Sequence, residues 1–346
     1  MVTTDDRAQR LLESAQKYRP PFTLDPTLAL YCPQDNVDSL THPRITAWFD
    51  FILNDYRPML PAAPRRVLLL LPCTATKPYI HSTEHRRINA ALLAAGFAPT
   101  GPADPLLLRE QMPGEAEALF SLAPLLHPDG IMVHRAVISE PLGLVPYEHM
   151  LAYPGGESPA VAYDDPGLFE ERGNAVSPWR ADCTASRVGP GKWRWGANEK
   201  RAYVEMHNAM SDMVARTLLR FGDIYTDRIS WVAPGLTHRS FVLAREQRAA
   251  HGIVATRQVG TERLKLVGAN DLLPPGLHLN ALPTREQCQA ALLRLAARLG
   301  RTPAEAAGHF ARGGGNATPL ALPELLEDLL AAVRAAPRET LARAED

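Results

Sequence analysis

The chain contains the apolar run RVLLLL at residues 66–71, followed at once by the polar run PCTATKPYIHSTEH at residues 72–85. A short continuous apolar run bounded by prolines is typical of a strand buried on both faces, as in the centre of a parallel sheet. In open α/β sheets, ligands bind outside the carboxyl ends of the strands. The polar run therefore lies where such a fold places its chemistry.

Other segments predict the elements that surround this strand. Apolar runs predict a second buried strand at 130–138, ending in the Pro- and Gly-containing loop 139–146, and a third strand at 229–233. Apolar residues at helical spacing predict helices at 4–17, 43–57, 84–96, 115–126, 198–220, 284–299, 303–311 and 322–335. We therefore expect an α/β fold, a three-layer sandwich with a mainly parallel sheet, followed by a C-terminal helical region.

Shifts in composition divide the chain into three parts. Prolines at 20, 21 and 26 break regular structure early, so residues 1–40 are predicted to form an N-terminal arm. Residues 41–245 are predicted to form an α/β catalytic domain, and the Ala-, Leu- and Arg-rich residues 246–346 an accessory helical region. Residues 154–196 have little periodicity, which is typical of a functional lid or of a mobile segment.

The overall composition favours a small-molecule enzyme over a nucleic-acid-binding protein. The 346 residues are 46% apolar and 22% charged, as in ordinary globular proteins. The positive charges of 37 Lys and Arg nearly balance the negative charges of 38 Asp and Glu. A chain that binds nucleic acid by itself usually has an excess of basic residues. No apolar run spans a bilayer and no signal core precedes residue 10, so we expect a cytoplasmic protein without a membrane partner.

No sequence motif indicates a cofactor. The cysteines at 32, 73, 183 and 288 are widely spaced, without a Cys/His cluster at zinc or iron–sulfur spacing. Neither GxGxxG nor a P-loop occurs. We therefore expect no metal and no cofactor, and the sequence gives no indication of the oligomeric state.

The loop at 72–85 concentrates reactive groups. It offers the thiol of Cys73, the amine of Lys77, the phenol of Tyr79, the hydroxyl of Ser82 and the imidazole of His85. Each has an ordinary structural explanation when taken singly: a small buried thiol, a surface amine, a helix-capping or packed histidine. Their density in one loop after a buried strand favours a catalytic site.

The same loop fits the pattern P-C-x3-K-P-Y-x2-S-x2-H, which resembles the signature of the archaeosine synthase catalytic domain. The matching residues are Pro72, Cys73, Lys77, Pro78, Tyr79, Ser82 and His85. Further similarity lies at Ser139 with PLGLVP at 141–146, at Glu148, at Tyr153-Pro154 and at Tyr163-Asp164, and His42-Pro43 is similar to the family's lead-in. The resemblance covers roughly residues 40–240, and it includes neither the transglycosylase-like domain nor the RNA-binding module of the large archaeal enzymes.

This resemblance implies that an amine, lysine in the archaeal family, adds to the nitrile of a 7-cyano-7-deazaguanine base and gives an amidine. The base is then a free base, a nucleoside or part of a nucleic acid. The implied catalytic residues are Cys73, Lys77 and His85. The implied substrate-binding residues are Pro72, Tyr79, Ser82, Ser139, Gly143 and Glu148.

The residues leave two mechanisms and two other functions open. Either the amine attacks the nitrile directly, with His85 as general acid, or Cys73 first forms a thioimidate. An arginine (Arg86, Arg87 or Arg135) together with Glu148 is the expected partner of a lysine donor's charged groups. The other two hypotheses are a Cys-dependent hydrolase or amidotransferase acting on a related 7-deazapurine, and a non-catalytic module that binds a modified base.

Overall fold

The computed structural model describes residues 4–164, 175–314 and 318–335. It is a mixed α/β structure with a mostly parallel central sheet and C-terminal helices. The strands are β1 (Arg65–Pro72), β2 (Ala98–Pro99), β3 (Leu125–Leu126), β4 (Ile131–Ser139), β5 (Gly143–Pro146), β6 (Ala152–Tyr153), β7 (Gly156–Glu157), β8 (Ser186–Gly189), β9 (Lys192–Arg194), β10 (Asp227–Trp231), β11 (Thr256–Val259), β12 (Glu262–Lys265) and β13 (Asn280–Leu282). The α-helices are α1 (Thr4–Ala15), α2 (Pro33–Ser39), α3 (Pro43–Asp50), α4 (Thr83–Ala94), α5 (Pro105–Leu108), α6 (Ala197–Phe221), α7 (Thr237–Val242), α8 (Arg245–Arg248), α9 (Ala269–Leu272), α10 (Arg285–Leu299), α11 (Pro303–Ala311) and α12 (Pro323–Arg334).

The central sheet has seven strands in the order β13-β10-β1-β4-β3-β2, and β5 also pairs with β4. The strands β13, β10, β1 and β4 run parallel to one another, whereas β3 and β5 pair antiparallel with β4 and β2 pairs antiparallel with β3. The apolar residues of β1 are buried, as predicted for a strand in the middle of a sheet. All three predicted strands are confirmed, each with ends within two residues of the expected positions.

Parallel neighbours bring their carboxyl ends to one edge of the sheet. The register pairs Pro72 of β1 with Ile138 of β4, and the amide of Cys73 donates a hydrogen bond to the Ile138 carbonyl at 3.0 Å. The loops that follow β1 and β4 therefore leave the sheet side by side, which confirms the expected meeting of these two loops. Because β10 lies on the other side of β1, the segment after Trp231 reaches the same edge.

Most predicted helices are confirmed, with one clear error. The helices predicted at 4–17, 84–96, 198–220, 284–299, 303–311 and 322–335 correspond to α1, α4, α6, α10, α11 and α12, and the helix at 43–57 becomes α3 followed by a π-helical turn. None of the helices in the described part of the chain combines the length and apolar character that a bilayer-spanning segment needs.

The helix predicted at 115–126 is wrong. This segment contains a short 3-10 turn at Glu117–Phe120 and then the strand β3, which pairs with β4. Pro124 has no amide hydrogen to donate inside a helix. The carbonyls of Ser121 and Ala123 instead accept hydrogen bonds from the buried side chain of Arg135. This segment therefore pairs with β4 and surrounds the buried guanidinium of Arg135. Apolar residues at helical spacing do not by themselves distinguish such a segment from a helix.

Both terminal segments make buried contacts with the α/β part of the chain. Strand β13, from the region predicted to be an accessory helical region, pairs with β10 and so belongs to the central sheet, and β11 and β12 form a separate hairpin. The indole of Trp231 donates to the Leu320 carbonyl. In the N-terminal arm, the hydroxyl of Tyr18 donates to the Tyr163 carbonyl. The predicted boundary after residue 245 therefore separates neighbouring strands of one sheet.

Candidate active site

The carboxyl edge of the sheet brings together a thiol, a carboxylate and an imidazole. Cys73 follows β1, Glu140 follows β4, and His238 lies in α7 after β10. Nε2 of His238 is 3.3 Å from Sγ of Cys73 and 3.2 Å from Oε2 of Glu140, and Sγ is 3.9 Å from that same oxygen. Glu140 is buried and Cys73 is partly exposed, so the cluster is accessible from one side.

The charges of Glu140 and Cys73 stabilise the protonated form of His238. Burial lowers the pKa of His238, but the charges of Glu140 and Cys73 outweigh it and raise that pKa well above its usual range. The three donor atoms all lie within 4.8 Å of one another, close enough to bind one metal ion together. The arrangement can therefore activate a thiol, transfer protons or hold a cation.

A group of three hydroxyls lies beside the cluster. The hydroxyl of Tyr79 is 2.9 Å from both the Ser139 hydroxyl and the Tyr163 hydroxyl, and Ser139 is also hydrogen-bonded to Tyr163. Burial raises the pKa of both tyrosines well above the usual range, and the charge of nearby Cys73 adds to this. Both phenols therefore remain protonated, and their O–H groups supply the hydrogen bonds within this group.

Lys77 lies beneath these hydroxyls rather than at the surface. Its Nζ donates to the Thr74 carbonyl at 2.6 Å and lies 4.6 Å from the centre of the Tyr79 ring and 4.5 Å from that of Tyr163. An ammonium ion between two aromatic faces is stabilised by cation–π attraction. The contacts place Lys77 as the support for the two tyrosines.

His85 is fully buried and uses both ring nitrogens within the chain. Nε2 is 3.0 Å from the Pro72 carbonyl, and Nδ1 is 2.7 Å from the Tyr147 hydroxyl. Since a carbonyl only accepts, Nε2 carries the proton and Nδ1 accepts from the tyrosine. Burial lowers the pKa of His85 to about 4, which keeps the ring neutral. His85 therefore holds the carbonyl that precedes Cys73.

Two further motif positions have structural roles. Ser82 is the N-cap residue of α4, and its hydroxyl accepts from the amide of His85. Gly143 opens β5 with a φ of +72°, and a Cβ built there would lie 2.9 Å from Cβ of Met213 in α6. Only glycine suits this backbone angle and this close approach of the helix.

Glu148 belongs to a different cluster. Strand β5 runs antiparallel to β4 from Gly143, opposite Ser139, so Glu148 lies back along β4 near His134. Its carboxylate is 2.9 Å from Nε2 of His134 and accepts from the Tyr56 hydroxyl at 2.7 Å. Burial raises the pKa of Glu148, but His134 and Tyr56 outweigh this and lower it to about 2. The structure therefore does not bring Glu148 to Cys73.

The arginines expected to bind a donor carboxylate are also placed elsewhere. The buried guanidinium of Arg135 donates to the Asn89 side chain and to the Ser121 and Ala123 carbonyls. Arg86 forms an ion pair with Glu115, and Arg87 is exposed on α4. His134 and Arg135 are successive residues of β4, so their side chains point to opposite faces of the sheet. Arg135 and Glu148 therefore do not form one donor-binding pocket.

Sequence reasoning missed two residues of the cluster, Glu140 and His238. Both follow the carboxyl end of a predicted strand, which is the rule that drew attention to Cys73. Glu140 stands in the second loop between Ser139 and Pro141, and His238 follows the third predicted strand after a short PGLT segment. Applying that rule to all three strands would have found them.

The site thus combines polar side chains from the segments that follow three parallel strands. Comparison of the chain with family models, curated proteins and solved structures finds no match. The functional argument therefore depends on the motif residues and on the geometry around Cys73.

Proposed function

We propose that this chain is an amidine-forming transferase, which adds an amine such as lysine to the nitrile of a 7-cyano-7-deazaguanine base. The observation that supports this most is the contact between the two motif-bearing loops. Cys73 lies against Glu140, and Tyr79 is hydrogen-bonded to Ser139, all at the carboxyl edge of the sheet. The two similarities found separately in the sequence therefore belong to one site.

The reaction needs few groups. The amine nitrogen forms a bond to the nitrile carbon, one π bond of the nitrile breaks, and its electron pair moves to the nitrile nitrogen. A proton passes from the amine to that nitrogen, and no group leaves. In this proposal the Glu140 carboxylate, which lies against the partly exposed Cys73, accepts the amine proton. The hydroxyl groups of Tyr79, Ser139 and Tyr163 hold the two loops together beside it.

The surroundings favour a small substrate. The balanced charge of the chain supports a free base or nucleoside over nucleic acid. In a three-layer sandwich, helices cover both faces of the sheet, and the carboxyl edge stays open for a ligand of this size. A cytoplasmic location keeps Cys73 reduced.

Mass spectrometry of a single reaction mixture tests this function. Purified protein with the cyano base and lysine should give a product with the sum of the two masses, and Glu140→Gln should reduce its rate by about 10²–10⁴-fold. Cys288→Ser, which changes a thiol outside the site, should leave the rate unchanged.

Other outcomes identify the competing functions. A product that carries added water or ammonia in place of lysine would indicate a hydrolase or amidotransferase. Tight binding of the base without any product would indicate a binding module. Equal rates with lysine, ammonia and simple alkylamines would show that the site does not recognise the lysine carboxylate.

A further inference from the structure

We infer that Cys73, Glu140 and His238 form a mononuclear zinc-type metal site, with Sγ, Oε2 and Nε2 as ligands and one coordination position open. The three residues lie 67 and 165 positions apart, as counted from Cys73 to Glu140 and to His238. No spacing motif in the sequence indicates this site, because each ligand follows a different strand.

The distances between the three atoms match the edges of a metal tetrahedron. Zinc bonds of about 2.3 Å to sulfur and about 2.0–2.2 Å to nitrogen and oxygen, at tetrahedral angles, give edges of about 3.6, 3.6 and 3.4 Å. The corresponding distances here are 3.3 Å for Sγ to Nε2, 3.9 Å for Sγ to Oε2 and 3.2 Å for Nε2 to Oε2. Each distance lies close to its ideal edge.

A simple hydrogen-bonded relay fits this geometry less well. In a Cys–His–carboxylate relay, the thiol and the carboxylate contact different ring nitrogens. Here both contact Nε2, whose single N–H would have to be shared between two acceptors, while Nδ1 has no hydrogen-bond partner among the described residues. A thiol sulfur, a carboxylate oxygen and an imidazole nitrogen within 4.8 Å of one another are instead the pattern of metal ligands.

The donor set and the exposure indicate the type of metal site. A thiolate, an imidazole and a carboxylate suit zinc, and three protein ligands with an open fourth position are typical of catalytic zinc. Glu140 is buried and Cys73 is partly exposed, so a fourth ligand can reach the cluster from the side of Cys73.

The role of the ion depends on the proposed function, whereas its binding does not. A divalent ion is a Lewis acid that can accept the nitrile nitrogen as its fourth ligand and stabilise the negative charge that develops there. No electron is transferred in this step. Cys73 is then a ligand rather than a nucleophile, and no thioimidate forms.

Metal analysis of the full, untagged chain tests the inference. Wild-type protein purified without chelator should contain about one zinc ion per chain, and Cys73→Ser and Glu140→Gln should each contain far less. The matched controls Cys288→Ser and Glu157→Gln should retain the wild-type content. After removal of the metal, added Co²⁺ should give a thiolate-to-cobalt charge-transfer band in wild type and in Glu157→Gln, but not in Cys73→Ser. Circular dichroism checks that every variant is folded.

Two results would overturn the inference. One is a folded metal-free wild-type chain that takes up neither Zn²⁺ nor Co²⁺. The other is a metal content that Cys73→Ser and Glu140→Gln leave unchanged. Activity is a separate readout. Amidine formation by metal-free protein would show that the ion has no catalytic role, and it would still support the proposed function. One zinc ion per chain without amidine formation would support the metal site and contradict the proposed function.

Discussion

His85 fixes the backbone next to Cys73 through its hydrogen bond to the Pro72 carbonyl. The sequence motif placed these residues together correctly, but it could not show which of them contact a substrate. A buried neutral ring with both nitrogens engaged is a positioning residue, whereas the acid–base role assumed from the sequence requires a free proton. Burial, which a motif does not encode, decides between the two roles.

Substitution of His85 separates positioning from proton transfer. Glutamine can place an N–H near the original Nε2 but cannot act as an acid, so His85→Gln should keep most of kcat/KM. His85→Ala should lower both activity and stability, because the Pro72 carbonyl and the Tyr147 hydroxyl lose a partner, at about 1–3 kcal/mol for each buried group. Steady-state kinetics and thermal unfolding measure both effects. Equal activity loss of about 10²-fold or more in the two variants would restore the general-acid role.

Glu148 should contribute to stability rather than to catalysis. Its folded-state pKa of about 2 is below the usual value of 4.5, so the unfolded state binds more protons between these pH values. The stabilisation is present above pH 4.5 and is lost as the pH falls towards 2. Glu148→Gln should cost about 1–3 kcal/mol at neutral pH, and this difference from wild type should shrink in acid.

Unfolding measured at several pH values, with the exposed Glu157→Gln as control, checks this prediction. A difference between wild type and Glu148→Gln that stays constant from neutral pH down to pH 3 would contradict the assignment. A large loss of activity in a stable Glu148→Gln protein would instead support the substrate-binding role that the resemblance implies.

At the scale of elements, the close contact between β5 and α6 keeps the second loop near the sheet. Gly143 allows this contact because it has no side chain where Met213 approaches. The sequence predicted β1, β4 and α6 because their apolar patterns are long and regular. It did not predict β3, because a strand of two residues is too short to show an alternating apolar pattern. It also did not predict the contact at Gly143, because the distance between a helix and a strand depends on tertiary packing.

Gly143→Ala should therefore destabilise the protein by about 1–3 kcal/mol, through a strained φ and overlap with Met213. Gly191→Ala is the matched control, since Gly191 has a similar φ of +62° with no neighbouring atom within 4 Å of the added Cβ. Its cost should be limited to about 1 kcal/mol of backbone strain. Denaturant unfolding measures both, and equal costs would show that the contact with Met213 relaxes freely.

At the scale of the whole molecule, the C-terminal segment completes the fold. Strand β13 covers the edge of β10, and the guanidinium of Arg239 donates to the Pro283 carbonyl. A change in composition near residue 246 suggested a separate region, but composition reports the type of secondary structure and not the pairing of distant strands. We therefore expect that the region from residue 246 onwards does not fold independently.

A chain shortened to residues 1–245 should fail to fold cooperatively. It loses β13, which leaves the β10 edge unpaired, and it loses the carbonyls that accept from Trp231 and Arg239. The full chain should unfold in one calorimetric transition, and the shortened chain should aggregate or show no sharp transition. A soluble shortened chain with a sharp transition would support the boundary predicted from composition.

The long separation between Cys73 and His238 has a consequence for the amount of protein in a cell. The two side chains meet across 165 residues of chain, so an ion bound between them binds the folded state and hardly the unfolded chain. Degradation acts mainly on unfolded molecules, and a change of about 1–2 kcal/mol in folding free energy alters abundance several-fold. The supply of the ion would therefore set how long each molecule survives proteolysis, independently of its effect on the reaction rate.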